Sequence, residues 1–358
     1  MSLRKIKKFF VHLIVGANIA TIVVMLLVGY SGRLNPAEHP VLSCTGLFFP
    51  ILLLINLLFL LAWALARLRL IIIPVLGFLL CYHPLQTYLP MHFLSQPSVE
   101  GSLKILSFNV RDFEVGREEG QRTHPASQYI IDSEADIVCL QEVVIGNSYL
   151  IPALDAYPWK TDMPGDSYGG LVVLSKYPIV KKERIPYPSE GNLSMAVTID
   201  IDGEEVTVVN NHFQTSGLSI DDKKVFNDMM SGGKRKELQT ESRHLLSILG
   251  KSAGKRSVQI DKVAAYVREH QDKPLILCGD FNETPVSYSH ETFSKLLTDC
   301  YVTTGNGVGW SYNSNRIHVR IDNVFCSNHW QPLKCEIDAK IHASDHFPII
   351  CYLKKHDN

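Results

Sequence analysis

A chain of 358 residues is long enough for more than one folding unit, and its 46% hydrophobic content is crowded before residue 100. The first 100 residues hold seven Lys/Arg against two carboxylates, a balance of +5, so the whole-chain charge of −1 leaves −6 for the remainder. That balance excludes a DNA binder relying on many sequence-independent Lys/Arg contacts to phosphates, and eight cysteines without paired spacing exclude a zinc knuckle or CxxC redox motif.

Three uncharged stretches come first: Phe9–Tyr30, Val41–Ala66 and Leu70–Leu89. Each is near the ~20 residues needed to cross a hydrocarbon core. They predict three transmembrane helices, at about 9–30, 44–66 and 70–89, within an anchor of residues 1–95. Arg4, Lys5, Lys7 and Lys8 would also suit a cleavable signal peptide, but no small-x-small cleavage site stands near Tyr30 and two more spans follow at once. Pro74 and His83-Pro84 interrupt the third stretch, and proline is tolerated in membrane helices. The basic N-terminus and the Arg67/Arg69 turn belong on the cytoplasmic side, since the Ser31–Leu42 loop carries only Arg33. Three crossings then place everything after residue 95 outside the cytoplasm, at a plasma or inner membrane; two crossings would reverse this.

Residues 96–102, with Pro97, Ser98 and Gly101, read as a linker to a domain over 103–355. Leu103–Val110 and Asp136–Gln141 are strand-like, with a helical pattern over His124–Ser133 between them. Gly170–Ser175, Ser194–Ile201 and Glu205–Asn211 follow as strands, the last two joined by an Asp202-Gly203 turn. Asp221–Leu249 and Ser257–His270 have helical spacing, broken at Gly232-Gly233 and at Gly250–Gly254. Strands return at Leu275–Cys278, Ile321–Cys326, Pro332–Ile341 and Phe347–Leu353. Cys139 and Cys278 read as buried thiols; one disulfide among Cys300, Cys326, Cys335 and Cys351 stays open outside the cytoplasm.

Polar residues stand repeatedly at strand ends. Asn109 closes Ile105–Phe108, Glu142 closes Ile137–Gln141, and His212 closes Val208–Asn211. Asp280 and Asn282 follow Leu275–Cys278, Asp322 sits in Arg320–Phe325, and Asp345-His346 precede Phe347–Ile350. Singly, such residues are turn formers or solvated polar groups. Together, in one sheet system, they converge on one edge, as a metal-assisted hydrolase requires.

These residues resemble the endonuclease/exonuclease/phosphatase superfamily. The matching elements are Ser107-Phe108-Asn109, Gln141-Glu142, Gly170–Pro178, Asn210-Asn211-His212, Gly279-Asp280-Phe281-Asn282 with Pro285, Ile321-Asp322 and Ser344-Asp345-His346, spanning about 103–352. The resemblance implies a DNase I-like fold, a four-layer α/β/β/α sandwich of two mixed β-sheets, and Mg²⁺-dependent phosphate-ester hydrolysis, with Mn²⁺ as a substitute. It implies Glu142 as metal ligand, with Asn109 beside it and Asp345 sharing a second ion. It makes Asp280 the group that orients or deprotonates the attacking water, and Asn282 a donor to the phosphoryl oxygens. His346 would hold the scissile phosphate with Asp322 fixing its tautomer, and His212 would contact the phosphate or assist the leaving oxygen. Asn323 stands where family members often carry an aromatic. For the Tyr or Arg that nucleases use beside the phosphate, Tyr168, Arg111 and Arg256 are candidates, and Asn192 is a further candidate helper.

The substrate is then a phosphate ester, from a lipid headgroup or from nucleic acid, with membrane lipid met through the N-terminal helices and no protein partner implied. A nuclease needs a basic groove. Lys181-Lys182-Glu183-Arg184, Lys234-Arg235-Lys236 and Lys255-Arg256 are the basic clusters, and such clusters usually form solvated faces. Tethering at a bilayer instead raises the effective concentration of lipid. The competing readings are a nuclease acting on extracytoplasmic DNA or RNA, and a catalytically silent, membrane-tethered binding module.

Overall fold

The computed structural model describes residues 3–92, 97–116, 123–165, 169–219, 221–225, 235–314 and 317–356. Its strands, in chain order, are β1 (Leu103–Asn109), β2 (Ile137–Val143), β3 (Trp159–Met163), β4 (Gly170–Ser175), β5 (Ile179–Arg184), β6 (Leu193–Ile201), β7 (Glu204–His212) and β8 (Leu275–Asp280). They continue with β9 (Thr298–Asp299), β10 (Tyr312–Ser314), β11 (Ile317–Val319), β12 (Asp322–Cys326), β13 (Trp330–Ile337) and β14 (Ile349–Lys355). One six-stranded sheet runs β13-β14-β1-β2-β4-β3, the other β5-β6-β7-β8-β12-β9, and β10-β11 form a separate hairpin. Both large sheets are mixed: β1/β2 and β7/β8 are parallel, their other pairs antiparallel.

Period-two alternation decides what each strand gives to which layer. Ile105, Ile137, Cys139, Val173, Val208, Ile276, Cys278 and Val324 point between the sheets and form the central core. Their neighbours point outward: Leu106, Val138 and Leu140 pack under helices Pro125–Asp132 and Ile151–Ala156. Val209, Leu275, Leu277 and Phe325 do the same beneath Arg235–His270 and Tyr288–Phe293. The result is helix, sheet, sheet, helix, the expected four layers.

Several elements depart from the sequence reading. Gly250 and Gly254 lie inside one continuous helix, Arg235–His270, rather than breaking it. Neighbour contacts explain why: a Cβ at Gly250 would lie 3.2 Å from Pro40, so the glycine admits the N-terminal segment. The expected Gly232-Gly233 break and the Lys234-Arg235-Lys236 side chains lie outside the described residues. Strands β3 and β5 escaped notice because they are sheet edges, and edge strands carry exposed charge, as Lys181-Lys182-Glu183-Arg184 does. All eight cysteines are free; Cys335 and Cys351 face each other across β13/β14 without a bond.

Two N-terminal segments, Arg4–Arg33 and Pro40–Ala66, are long and apolar enough to cross a membrane by length and composition. Their surface is apolar, with Leu13, Leu27, Leu54, Leu58 and Leu65 exposed, and their interior buries polar Asn18 and Asn56 among Met25, Phe49 and Trp63. Asn18 Nδ2 and Thr21 Oγ1 donate to Asn56 Oδ1 at 3.2 and 3.1 Å, and Trp63 Nε1 donates to Asn18 Oδ1 at 3.1 Å. Such inter-helix hydrogen bonds set packing where no hydrophobic difference exists. The third expected span is instead a pair, Leu68–Leu80 and Tyr82–Tyr88, bent by 69°. Pro84 has no N–H to offer the Leu80 carbonyl four residues back, and the Tyr30 hydroxyl donates to that carbonyl at 2.8 Å. The bent arm ends against the sandwich, where Arg320 Nη2 donates to the Thr87 carbonyl and His92 N donates to Asn306 Oδ1 at 2.7 Å.

Candidate metal centre

Alternation and topology together explain the placement of the polar strand ends. Asn109, Gln141, Asn210, His212, Asp280 and Asp322 occupy inward positions, continuing the rows that end in Ile105, Cys139, Val208, Cys278 and Val324. The parallel pairs set Asn109 beside Gln141 and His212 beside Asp280, and antiparallel β12 sets Asp322 beside Asp280. Carboxyl ends of parallel strands are where open α/β sheets bind ligands. A polar floor underlies the site: Gln141 Nε2 donates to Asn210 Oδ1 at 2.7 Å, and Asn210 Nδ2 donates to the Leu140 carbonyl of the facing sheet at 3.0 Å.

Unusual backbone carries several residues into the site, among them Glu142, Gly279 and Asn282. Glu142 falls in the β2 bulge between Leu140 and Val143, with φ of 54°. A bulge re-aims a side chain, at a left-handed cost of roughly 1–3 kcal/mol for a non-glycine residue. Gly279 has φ of 126°, and a Cβ there would lie 2.0 Å from the Asn211 carbonyl oxygen, so glycine alone lets β8 carry Asp280 this close to β7.

Asn109 joins the two acids, its Nδ2 donating to Glu142 Oε1 at 2.9 Å and to Asp280 Oδ2 at 3.1 Å. His212 Nε2 lies 3.4 Å from Glu142 Oε1 and 3.8 Å from Asp280 Oδ2, and neither ring nitrogen has a hydrogen-bond partner among the described residues. His346 Nδ1 is paired with Asp322 Oδ2 at 2.8 Å, while its Nε2 sits 3.7 Å from Asp280 Oδ2. Burial alone would lower the His346 pKa, but Asp322, Asp280 and Asp345 overcome it and hold the imidazolium well above its ordinary 6.5. Burial pushes the Asp280 carboxyl up to about 6, with Asp322 and Glu142 adding to the rise and His346 and His212 opposing it.

The donor set fits a divalent cation. One atom from each of Glu142, His212 and Asp280, and likewise from Asp280, Asp322 and His346, lies within 4.8 Å of the others. Crowded carboxylates are what a hard cation prefers, while the Asn109 amide oxygen accepts from Arg111 N at 3.1 Å. Asp345 belongs to neither cluster: it lines the same cleft, with Arg111 Nη1 on its Oδ2 at 3.2 Å. Asn282 N donates to Asp280 Oδ1 at 2.8 Å, and its Nδ2 donates to the Phe213 carbonyl at 3.0 Å, leaving one amide hydrogen for a ligand. Asn192 Nδ2 donates to that same carbonyl at 3.0 Å, from below the site.

Among the candidates for the phosphate wall, Arg111 lines the cleft, and Tyr168 lies outside the described residues. Arg256 lines it too, but its Nε is committed to buried Glu283 at 2.9 Å and its Nη1 to the Gln214 carbonyl. Sequence reasoning missed Tyr312 and Lys223. The Tyr312 ring meets His346 edge-on at 5.0 Å, and Lys223 Nζ donates to its hydroxyl at 3.0 Å. Tyr312 sits on a three-residue hairpin strand too short to leave a periodic pattern. The cleft holding these groups has a volume of about 380 Å³. A larger hollow of about 870 Å³, between Pro36–Val41 and Gly250–Val258, contains none of the metal-centre residues.

Residues 106–346 match the family described as "Endonuclease/Exonuclease/phosphatase family", and residues 8–88 match one described as "Domain of unknown function (DUF8431)". No curated protein matches the chain. Among solved structures, an endonuclease/exonuclease/phosphatase from Beutenbergia cavernae DSM 12333 is similar at 18% identity and a TM-score of 0.50, over 71% of this chain and 72% of that one. The human Nocturnin catalytic domain with bound sulfate anion is similar at 16% identity and a TM-score of 0.50, over 71% and 94%. At such identities these structures speak to the fold.

Proposed function

We propose, from the premise that this chain belongs to the endonuclease/exonuclease/phosphatase family and is a hydrolase of phosphate esters, that it is a membrane-anchored phosphodiesterase dependent on Mg²⁺, or Mn²⁺ in its place. The observation that carries this reading is the meeting of Asn109, Glu142, His212, Asp280, Asp322 and His346, from five strands and one loop, at the end of the inter-sheet cleft. Glu142, with Asn109 beside it, would hold the cation, and Asp345, which lines the same cleft, would share a second ion; a bound cation would neutralise charge on the phosphoryl oxygens.

Asp280 takes the proton of the attacking water; its carboxyl, raised to about 6, is a base poised near neutral pH. His346, kept cationic by Asp322, holds the scissile phosphate. Asn282 donates its free amide hydrogen as charge builds on the phosphoryl oxygen. His212 meets the phosphate or the leaving oxygen through a ring with no hydrogen-bond partner among the described residues. Water is the nucleophile, so no covalent intermediate forms, and hydrolysis in ¹⁸O-water labels the product phosphate.

Two apolar helices support residence at a bilayer, and the bent pair Leu68–Leu80 and Tyr82–Tyr88, counted as a third crossing, puts the catalytic domain on the outer side. A phosphatase fusion at residue 100 is active outside the cytoplasm on this reading and silent on the reverse. The full chain is tested on plasmid DNA, RNA, sphingomyelin-type lipids and phosphoinositides, alongside Glu142→Ala. Turnover that survives EDTA or Glu142→Ala refutes the metal centre, and no turnover of any phosphate ester leaves only a binding module.

A further inference from the structure

The cleft that holds Glu142, Asp280 and His346 is also lined, within the same volume of about 380 Å³, by the apolar side chains of Leu47, Leu218, Leu249, Val286, Ile317 and Ile321. One of these walls comes from outside the catalytic sandwich. Ser43, Cys44 and Leu47 line the cleft from the opening turns of Pro40–Ala66, a segment apolar enough to cross a bilayer, and all three lie outside the 106–346 family match.

Their seating is tight. A Cβ on Gly46 would lie 2.0 Å from the Val286 carbonyl oxygen, and Val286 stands on the loop that follows Asn282 directly. Gly250 admits Pro40 on the neighbouring helix, and Arg33 Nε pairs with Glu291 Oε1 at 3.4 Å. Nucleic acid presents sugars and further phosphates on both sides of the scissile bond, and apolar walls offer these nothing. A lipid phosphoester joins a polar end to an apolar one, and the lining of this cleft offers groups of both kinds.

Resting on the phosphodiesterase reading above, we infer that the N-terminal segment completes the substrate site, with Leu47 and its neighbours receiving the apolar tail of a membrane phospholipid whose phosphate lies at Asp280 and His346. The segment thus sets specificity as well as location.

The test uses the full chain in nanodiscs with Mg²⁺ and two water-soluble chromogenic diesters, methyl and hexyl 4-nitrophenyl phosphate, which share a scissile bond and differ only in tail. Five extra methylenes, buried even in part, raise kcat/KM for the hexyl ester at least about tenfold over the methyl ester. Leu47→Asp brings that ratio close to one. Equal use of both esters by the wild type overturns the tail site and leaves the phosphodiesterase reading standing, whereas no turnover of either ester overturns that reading itself. A ratio unchanged in Leu47→Asp overturns the role of the N-terminal wall. If Leu47→Asp does not fold, Leu47→Ser decides on the same ratio, and a retained hexyl preference counts against the inference.

Discussion

Asp322→Asn isolates the charge on His346 from its position. Both members of the pair are almost fully buried, at 1% and 5% side-chain exposure, with Asp322 Oδ2 2.8 Å from His346 Nδ1. Asparagine keeps the volume and a polar contact but removes one of the charges that oppose desolvation. Without it the imidazole titrates lower, since only Asp280 and Asp345 still oppose burial. An unperturbed imidazole, the limit toward which the variant moves, is about one-quarter cationic at pH 7 and about one-hundredth at pH 8.5. Charge alone therefore costs up to about fourfold in kcat/KM at the lower pH and more at the higher, up to about a hundredfold, on top of a positional loss of about tenfold. The wild-type imidazolium, held well above 6.5, keeps more of its charge across this range. The assay is kcat/KM on a soluble aryl phosphodiester from pH 7 to 8.5, and a wild-type-to-variant ratio that stays flat across this range refutes the role given to Asp322. Stability moves with the same proton. The folded state holds it more tightly than the unfolded chain, so the pair's contribution is full below pH 6.5 and fades as pH rises through the folded-state value. Breaking a buried pair costs about 3–5 kcal/mol at most, and the melting-temperature gap between wild type and variant is widest at pH 6 and narrower at pH 9.

Asp280→Asn lowers turnover by about a hundredfold to ten-thousandfold, yet stabilises the metal-free protein at pH 8. An ionised carboxyl whose folded pKa is raised from 3.8 to about 6 costs up to about 3 kcal/mol. That cost is absent below pH 3.8 and grows as pH rises to 6, so thermal melts of the variant and wild type, compared at pH 4 and pH 8, should diverge only at the higher pH. At limiting metal, wild-type kcat/KM falls with acidity below about pH 6, and an acid limb well above neutrality would count against Asp280 as the base. Gly279→Ala forces a Cβ to within 2.0 Å of the Asn211 carbonyl and costs about 3 kcal/mol or more, seen as a lowered denaturation midpoint. Asn56→Leu strips the partner from Asn18 and Thr21 and weakens the bundle by roughly 1–2 kcal/mol; an unchanged detergent melt would show that the polar network is idle.

How far the sequence reaches depends on whether a feature leaves a pattern. The apolar runs Ile105–Phe108 and Ile137–Gln141 are local, so the strands, and the polar residue ending each, are legible in the sequence alone. Which strands run parallel is not local, and that choice alone brings Asn109 and Gln141 level and His212 beside Asp280. Glu142 was readable as a strand terminus but not as a bulge, since the φ of 54° that turns it follows from register with β4. Edge strands β3 and β5 were hidden for the opposite reason, as their exposed charge erases the apolar alternation that would announce them.

Glycines at 46 and 250 are the extreme case. A glycine that marks a turn advertises itself by its neighbours, whereas one that exists to let distant backbone approach carries no local trace. Gly250 was therefore read as a break in a helix that is continuous. Its partner, Pro40, stands 210 residues earlier, in a segment whose composition speaks only of a membrane. Only contact between the two regions turns an anchor into a wall of the cleft, and a specificity device built this way leaves its mark in the fold and none in any motif.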